Sequence, residues 1–447
     1  MLTPDLLLIN GMLLPEPGSA ACLDPGYVAI REGRIMDLGP MSALGAARGR
    51  EVIDVGGGVV LPGLVNGHCH AAMALFRGLA DDLPLLTWLN DHIFPAESRH
   101  VNPEMVSWCT RLAAAEMLLS GTTTVADGYF CMEEAARAFA EAGMRAVVAQ
   151  GVIDFPAPGV PDPAGNIAIA ARFIDGWLGR DPRITPAVFA HSPYTCSAHT
   201  LRAAKELARS RGVSLFIHVA ETRGEQELIR DPLGSSPVRH LDALGVLDEG
   251  TVCVHCIWVD EADLEILARR GTSIVICPQS HQKLASGTAP LKAMLARGIA
   301  VGLGTDGAAS NNSLDLFREM DVCAKVQKVQ GLDPVAVRAG KVLEMATGLG
   351  AKVLNLAGQC GMLRPGALAD LIVIDRKQPH LQPFHGPDLL VYAARGSDVR
   401  TVIVGGRLVV RERKLLTLDV KEIMFRVRRM AIENAGGEGR KEVDVSL

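Results

Sequence analysis

Between residues 59 and 359 short apolar, β-branched runs alternate with Ala-, Leu- and Glu-rich stretches. The runs read LPGLVNGHCH, TTTVADGYF, MRAVVAQGVID, ITPAVFAHSP, VSLFIHVAE, TVCVHCIWV, TSIVICPQS and IAVGLGTDG. Between them lie helix candidates such as CTRLAAAEMLLSG, TLRAAKELARSRG and EADLEILARRG. A strand that returns parallel to its predecessor needs a crossover, so repeated strand-then-helix units predict a parallel sheet. About eight such units in roughly 300 residues fit an α/β fold of the (β/α)8 TIM type.

The ends of the chain read differently. Residues 1–58 hold short β-type runs broken by turns: DLLLING, GYVAIREGRIMDLG and REVIDVGGGVVLPG. After residue 360 such runs return as GALADLIVIDR and VRTVIVGGRLVVRERK. The expected organisation is a small β-sandwich whose first part is 1–58 and whose second part lies in 360–447. A catalytic barrel, 59–359, is inserted between them, and a closing helix covers 418–435.

The net charge of -5 gives no electrostatic case for nucleic acid or an anionic membrane surface. The one basic run, RVRRM, reads as a solvated helix face. No apolar segment approaches the ~20 residues of a spanning helix. The stretch MLTPDLLLINGMLLPEPG lacks the positive n-region of a signal peptide, with Asp5 just before its apolar run. Ten cysteines in 447 residues lack the density of a disulfide scaffold. A cytoplasmic protein with reduced thiols is expected. Cys253 and Cys256 have a C-x-x-C spacing but no second pair, and read as core cysteines of a buried strand.

In such a barrel the C-terminal ends of the strands carry the chemistry. The titratable residues there are His68, His70, His191, His218, His255 and Asp306. Any one alone reads as a hydrogen-bonded core residue. Six independent strand-end placements do not. On a strand, residues i and i+2 point the same way, so His68 and His70 can aim at one point with Cys69 turned aside. Imidazole nitrogens suit zinc, and also iron or manganese. His218 and Asp306 are the best candidates for two further ligands. Glu221, three residues past His218, can sit over such a site and move protons without binding the ion. Its plainer reading is a carboxylate at a helix N-terminus. His255 can orient or deprotonate a water. No lysine occurs between Asp127 and Lys205, so the carbamylated lysine that bridges two metals in some barrel hydrolases has no counterpart, and one divalent ion per subunit is expected. The H-x-E and P-C-x-x-C pattern of the cytidine-deaminase type is also missing.

The stretches LPGLVNGHCHAAMALFRGLADDLPLLTWL, HIFPAESR, SGTTTVADGYF, HSPYTCS, IHVAET, KLASGTAPL, LGTDGAASNNSLDLFREM and RPGALADLIVID resemble the amidohydrolase superfamily. More narrowly, they resemble its 5-methylthioadenosine/S-adenosylhomocysteine deaminases, over nearly the whole chain. The resemblance implies a metal-dependent barrel with a flanking β-sandwich. It implies His68, His70, His218 and Asp306 as ligands to zinc, or to Fe2+ or Mn2+. Glu221 would carry a proton to the purine nitrogen, Asp306 would also take the proton of the attacking water, and His255 would be its polar partner. Trp88 would pack on the nucleoside, Glu97 would accept from the ribose hydroxyls, and His191 would contact the purine. It also implies a homo-oligomer.

Relatives that accept S-adenosylhomocysteine place arginines near the substrate's tail. Here Gln150 stands at one such strand end, and Gly165 or Asn166 at the other site, with Arg172 a few residues on. An uncharged tail is therefore expected. In CPQSHQKLASG, His281 and Gln282 replace the Asn-Leu pair that relatives commonly carry, which raises a changed ring recognition. The expected activity is hydrolytic deamination of 5′-modified adenosines. The rivals are an aminohydrolase of a guanine, pterin or triazine ring, and a catalytically silent barrel.

Overall fold

The computed structural model describes residues 3–19, 21–45, 48–229 and 236–434. The chain opens with β1 (Leu6–Leu13), β2 (Leu23–Arg31), β3 (Arg34–Pro40), β4 (Glu51–Asp54) and β5 (Val59–Pro62). Eight strands follow, separated by helices: β6 (Leu64–Cys69), β7 (Thr122–Tyr129), β8 (Arg145–Val152), β9 (Ile184–Ala190), β10 (Leu215–Val219), β11 (Thr251–His255), β12 (Ser273–Ile276) and β13 (Val301–Leu303). The chain then adds β14 (Leu371–Ile374), β15 (Val399–Val404), β16 (Arg407–Arg411) and β17 (Lys414–Leu415).

Strands β6 to β13 pair in sequence order and in parallel, each within one of the eight apolar runs. The sheet closes into a barrel where the chain after β13 returns to β6. The Thr305 and Asp306 amides donate to the His68 carbonyl at 3.1 Å each. Asn66 clamps the same seam, accepting from Thr305 N at 3.0 Å and donating to Thr305 Oγ1 at 2.8 Å. Inside, Val65, Val147, Ala149, Phe189, Phe216, Val254 and Val275 pack as a filled core, as a barrel of this size requires.

The strands from the two ends form a second sheet, ordered β17-β16-β15-β14-β5-β1-β2-β3 with β4 beside β1. The antiparallel pair β5–β14 joins the two ends of the chain, with Pro62 opposite Leu371 and Val59 opposite Ile374. The sheet curls over. Ile35 N donates to Ala367 O and Ala369 N to Gly33 O, both at 2.9 Å, around Leu8, Leu13, Val28, Ile30, Val60, Leu371 and Val373. This is the flanking β-sandwich that the sequence predicts. The chain passes from it into the barrel at Gly63, where a Cβ would stand 2.1 Å from Thr123 Oγ1.

The closing helix runs Val420–Asn434, and residue 435 lies outside the described residues. It buries Ile423 and Val427, while Arg428 and Arg429 of the RVRRM run are exposed. Cys253 and Cys256 are fully buried. Among the described residues no helix is long and apolar enough to cross a membrane.

One buried ion pair ties barrel to sandwich. Arg145, opening β8, reaches Asp370 just before β14, with Nε–Oδ2 at 2.7 Å and Nη2–Oδ1 at 3.2 Å. Gly405 N also donates to Asp370 Oδ1 at 2.6 Å. Removing one partner of a buried pair strands the other charge. Asp370→Ala is expected to lower stability by about 3–5 kcal/mol, read as a shifted urea midpoint. A loss under about 1 kcal/mol, the worth of an exposed pair, would show that Arg145 finds other partners.

Candidate active site

All six titratable strand-end residues meet at one mouth of the barrel. His68 ends up there through an irregularity. Val65 and Gly67 face the interior, so strict alternation would turn His68 outward. The pairing of β6 with β7 shifts register between Asn66 and Cys69, and such a bulge re-aims side chains. His68 Nε2 and His70 Nε2 both lie close to Asp306 Oδ1, at 3.5 and 3.4 Å. His218 Nε2 is 3.3 Å from His68 Nε2. Cys69 packs into the core between barrel and helices.

Asp306 sits in a left-handed turn, φ 59°. Its Oδ2 accepts from Ser280 Oγ at 2.7 Å and Ser310 Oγ at 2.8 Å, while Gly307 N donates to Oδ1 at 2.8 Å. The Gly128 carbonyl contacts His70 Nδ1 at 2.5 Å. A carbonyl only accepts, so Nδ1 carries the proton and Nε2 is bare, the form a metal ligand needs. Two triads at this mouth, His68–His70–Asp306 and His68–His218–His255, bring their donor atoms within 4.8 Å of one another. Three imidazoles and a carboxylate make a donor set suited to a borderline divalent ion.

Glu221 follows β10 after Ala220, another left-handed residue at φ 53°. It lies in the loop before the short helix Glu225–Leu228 rather than in its first turn. The Glu225 carboxylate accepts from the Ala220 and Glu221 amides and holds this loop. Glu221 Oε2 is 3.7 Å from His255 Nε2. Burial, then the charges of Asp306 and Glu225, push the Glu221 carboxyl well above the usual range. Burial, then His68, lowers His70 to about 4. Burial likewise lowers His218 and His255 well below the usual imidazole range, which keeps them neutral. Burial by itself would raise Asp306, but the hydrogen bond from His68 and the surrounding rings of His70, His68 and His255 outweigh it and hold the carboxyl well below its usual range.

A cavity opens over this cluster. Trp88, Glu97, His191 and Glu221 line it together with His70, His218, His255 and Asp306. The wall away from the cluster is apolar, with Leu85, Leu89, Phe94, Phe155, Pro156 and Pro158. Trp88 and Glu97 come from the helical segment 85–100, and Trp88 Nε1 donates to Leu79 O at 3.3 Å. Tyr129 Oη donates to Glu97 Oε1 at 2.6 Å. His191 Nδ1 is 2.9 Å from Thr195 Oγ1. The sequence gives no hint of Tyr129, Ser280, Ser310 or Glu225, which are common residue types whose roles appear only when distant strands converge.

Two expectations need correction. Gln150 is not in the lining. Val147 and Ala149 face the barrel interior, so the two-residue period turns Gln150 outward. Its amide accepts from Met132 N and donates to Gly151 O, both at 3.3 Å, and Gly151 takes the lining position instead. His281 and Gln282 do not reach the cavity either. Gln282 is exposed, and His281 is buried behind His255, with Nε2 3.0 Å from His255 Nδ1. At the second tail position Asn166 is buried, with its amide on the Ile153 carbonyl, and Arg172 is exposed.

A profile of the amidohydrolase family matches residues 59–409. The chain belongs to the amidohydrolase family. The 5-methylthioadenosine/S-adenosylhomocysteine deaminase of Syntrophobacter fumaroxidans is 49% identical over 429 residues, which cover 96% of this chain and 98% of that protein. The 5′-deoxyadenosine deaminase of Methanosarcina mazei is 42% identical over 431 residues, 96% of this chain and 98% of its own. The crystal structure of an adenosine deaminase from Xanthomonas campestris with bound zinc superposes with a TM-score of 0.94 at 34% identity, covering 97% of this chain and 99% of that one. The likeness to this adenosine deaminase thus extends over barrel and sandwich alike.

Burial, opposed by the Tyr129 hydrogen bond, raises Glu97 from 4.5 to about 7. The folded state then holds a proton that the unfolded chain has lost between those values, so this group's contribution to stability falls as pH rises through the window. Gln cannot ionise and still accepts from Tyr129. The stability of Glu97→Gln relative to wild type is therefore expected to rise from pH 4.5 to 7, by on the order of 1–3 kcal/mol. Parallel unfolding curves across that range would show that Glu97 titrates alike in the folded and unfolded chain.

Proposed function

We propose that this amidohydrolase is a metal-dependent deaminase of 5′-modified adenosines, giving the inosine analogue and ammonia. The observation that carries the reading is the pairing, across one cavity, of a neutral acid beside an imidazole–carboxylate cluster with a second carboxyl, Glu97, set in an otherwise apolar wall. His68, His70, His218 and Asp306 would hold one divalent ion, zinc by the donor set and by the likeness to the zinc-bound structure. Such an ion lowers the pKa of water toward about 7 and so supplies hydroxide near neutral pH.

The remaining chemistry falls to the chain. Glu221, kept protonated by burial, gives its proton to the ring nitrogen as water adds at the adenine C6. Asp306, held ionised and fixed by Ser280 and Ser310, takes the proton released by the water. His255 orients that water. Asp306 passes that proton to the exocyclic amine, and as the C6–N bond breaks and ammonia leaves, the hydroxyl proton of the adduct returns to Glu221. Trp88 packs on the nucleoside and His191 contacts the purine. Glu97 has one oxygen on Tyr129 and one free for a ribose hydroxyl. A free base such as guanine has no diol for Glu97, which is why the nucleoside reading stands ahead of the ring rivals.

The 5′ substituent is small and uncharged. Among the described residues no Lys or Arg lines the cavity; the carboxyl-bearing side chains there are Glu97, Glu221 and Asp306. The carboxylate of S-adenosylhomocysteine would find no guanidinium, losing a charge-assisted bond worth about 1.5–3 kcal/mol, roughly tenfold to a hundredfold in kcat/KM.

Two experiments test this. Ammonia release by the zinc-loaded protein on 5′-methylthioadenosine, adenosine, S-adenosylhomocysteine, adenine and guanine should rank the first at least about tenfold above S-adenosylhomocysteine. Equal turnover of those two would remove the tail argument, and activity on guanine alone would replace the nucleoside reading. Glu221→Gln should retain zinc and lose about 10²–10⁴-fold in kcat. Turnover near wild type would take Glu221 out of the mechanism.

A further inference from the structure

We propose that His281, which touches no part of the cavity, is a positioning residue that fixes the neutral tautomer of His255, so that His255 presents a bare Nε2 to the mouth of the barrel. The role of that bare nitrogen rests on the function proposed above; the tautomer assignment does not.

The argument is one of donors and acceptors. His281 is 3% exposed and lies in the short helix Pro278–Lys283 behind β11. Its Nε2 is 3.0 Å from His255 Nδ1 and 3.4 Å from the backbone nitrogen of Cys277. A backbone N–H can only donate. His281 Nε2 must therefore accept, since a proton there would set N–H against N–H. The short contact to His255 is then a donation from His255 Nδ1–H. A neutral imidazole carries one N–H; His255 is 1% exposed, and the Glu221 carboxyl facing it stands 3.7 Å off, beyond hydrogen-bond reach, so nothing there offsets the cost of a second, charging proton. His255 Nε2 is consequently a lone pair. It faces Glu221 Oε2 at 3.7 Å, and a ring nitrogen of His255 lies within 4.8 Å of the donor atoms of His68 and His218.

The backbone does not impose this orientation. His255 and Cys256 have φ of 77° and 47°, so β11 leaves the extended region just where the ring must be aimed. The ring stacks on His218 with centroids 5.1 Å apart, which fixes its plane but leaves open which nitrogen is protonated. The hydrogen bond to His281 decides that. A bare Nε2 accepts from the attacking water and turns its oxygen lone pair toward the reacting carbon. The other tautomer would donate to that water and turn the lone pair away. An asparagine at this position would offer one carbonyl oxygen able to accept the same two hydrogens.

The test combines a spectrum and two variants. In ¹⁵N-histidine-labelled, zinc-loaded protein without substrate, His255 Nδ1 should show the pyrrole-type shift and Nε2 the bare, pyridine-type or metal-shifted one. A pyrrole-type Nε2 in the wild type would overturn the proposal. This readout needs no turnover, so a protein inactive on every adenosine would refute the function and leave the tautomer assignment standing. His281→Leu should lose roughly 10–100-fold in kcat with KM and zinc content unchanged, in line with loss of an orienting partner. His281→Asn should stay within about threefold of wild type if a carbonyl acceptor suffices. Wild-type kcat in His281→Leu, or equal losses in both variants, would contradict a positioning role.

Discussion

The site depends on how closely the end of the barrel approaches its beginning. The chain after β13 meets His68 through two amide–carbonyl bonds of 3.1 Å, and Gly304 makes that approach possible. A Cβ on Gly304 would lie 2.9 Å from His68 Cβ and 3.0 Å from His68 N. The left-handed turn at Asp306 then brings its carboxylate back over β6, within reach of both imidazoles. Asn66 and Thr305 lock the seam from behind. A strand-end histidine pair could hold an ion together with Asp306 only because this closure supplies a carboxylate at the right height. Ser280 and Ser310 complete it by holding Oδ2 so that Oδ1 faces inward.

The second constraint is burial. Desolvation penalises the charged form of every titratable group, and this mouth contains many. The outcome is a division of protonation states. His70, His218 and His255 are pushed toward the neutral form, Asp306 is held well below the usual carboxyl range by the rings around it, and Glu221 is raised by burial and then by the nearby Asp306 and Glu225. Acid–base assignments follow where environments push neighbouring carboxyls apart. The positive-φ residues Ala220, His255, Cys256 and Asp306 lie at strand ends or in the loops just after them. Local backbone rules are thus broken where the chemistry is placed, and the barrel beneath compensates.

Much of this was legible in the sequence. Alternating strand and helix patterns show the eight strands, because parallel strands buried on both faces read as continuous apolar runs. The strand-end histidines stand out against those runs, so the convergence of His68, His70, His191, His218, His255 and Asp306 could be anticipated. Gln150 could not be placed correctly, since a one-residue difference in facing decides whether it lines the cavity, and strand ends do not reveal their facing. His281 signalled a departure from relatives, but its neighbour did not show until β11 and the helix after β12 were packed together. Tyr129 reaches Glu97 from a different strand-and-helix unit, a contact with no local trace. The curl of the flanking sheet depends on backbone bonds between Gly33–Ile35 and Ala367–Ala369 that lie more than three hundred residues apart and leave no pattern in either segment.

The central claim is that one divalent ion is held by His68, His70, His218 and Asp306. The most direct measurement is the metal content, by plasma mass spectrometry, of the purified protein after zinc loading and desalting, beside Asp306→Asn treated identically. The account predicts one equivalent of zinc per chain in the wild type and a clear loss in the variant, whose neutral amide is a poor ligand. Two equivalents in the wild type, or a full equivalent retained without the Asp306 carboxylate, would contradict it.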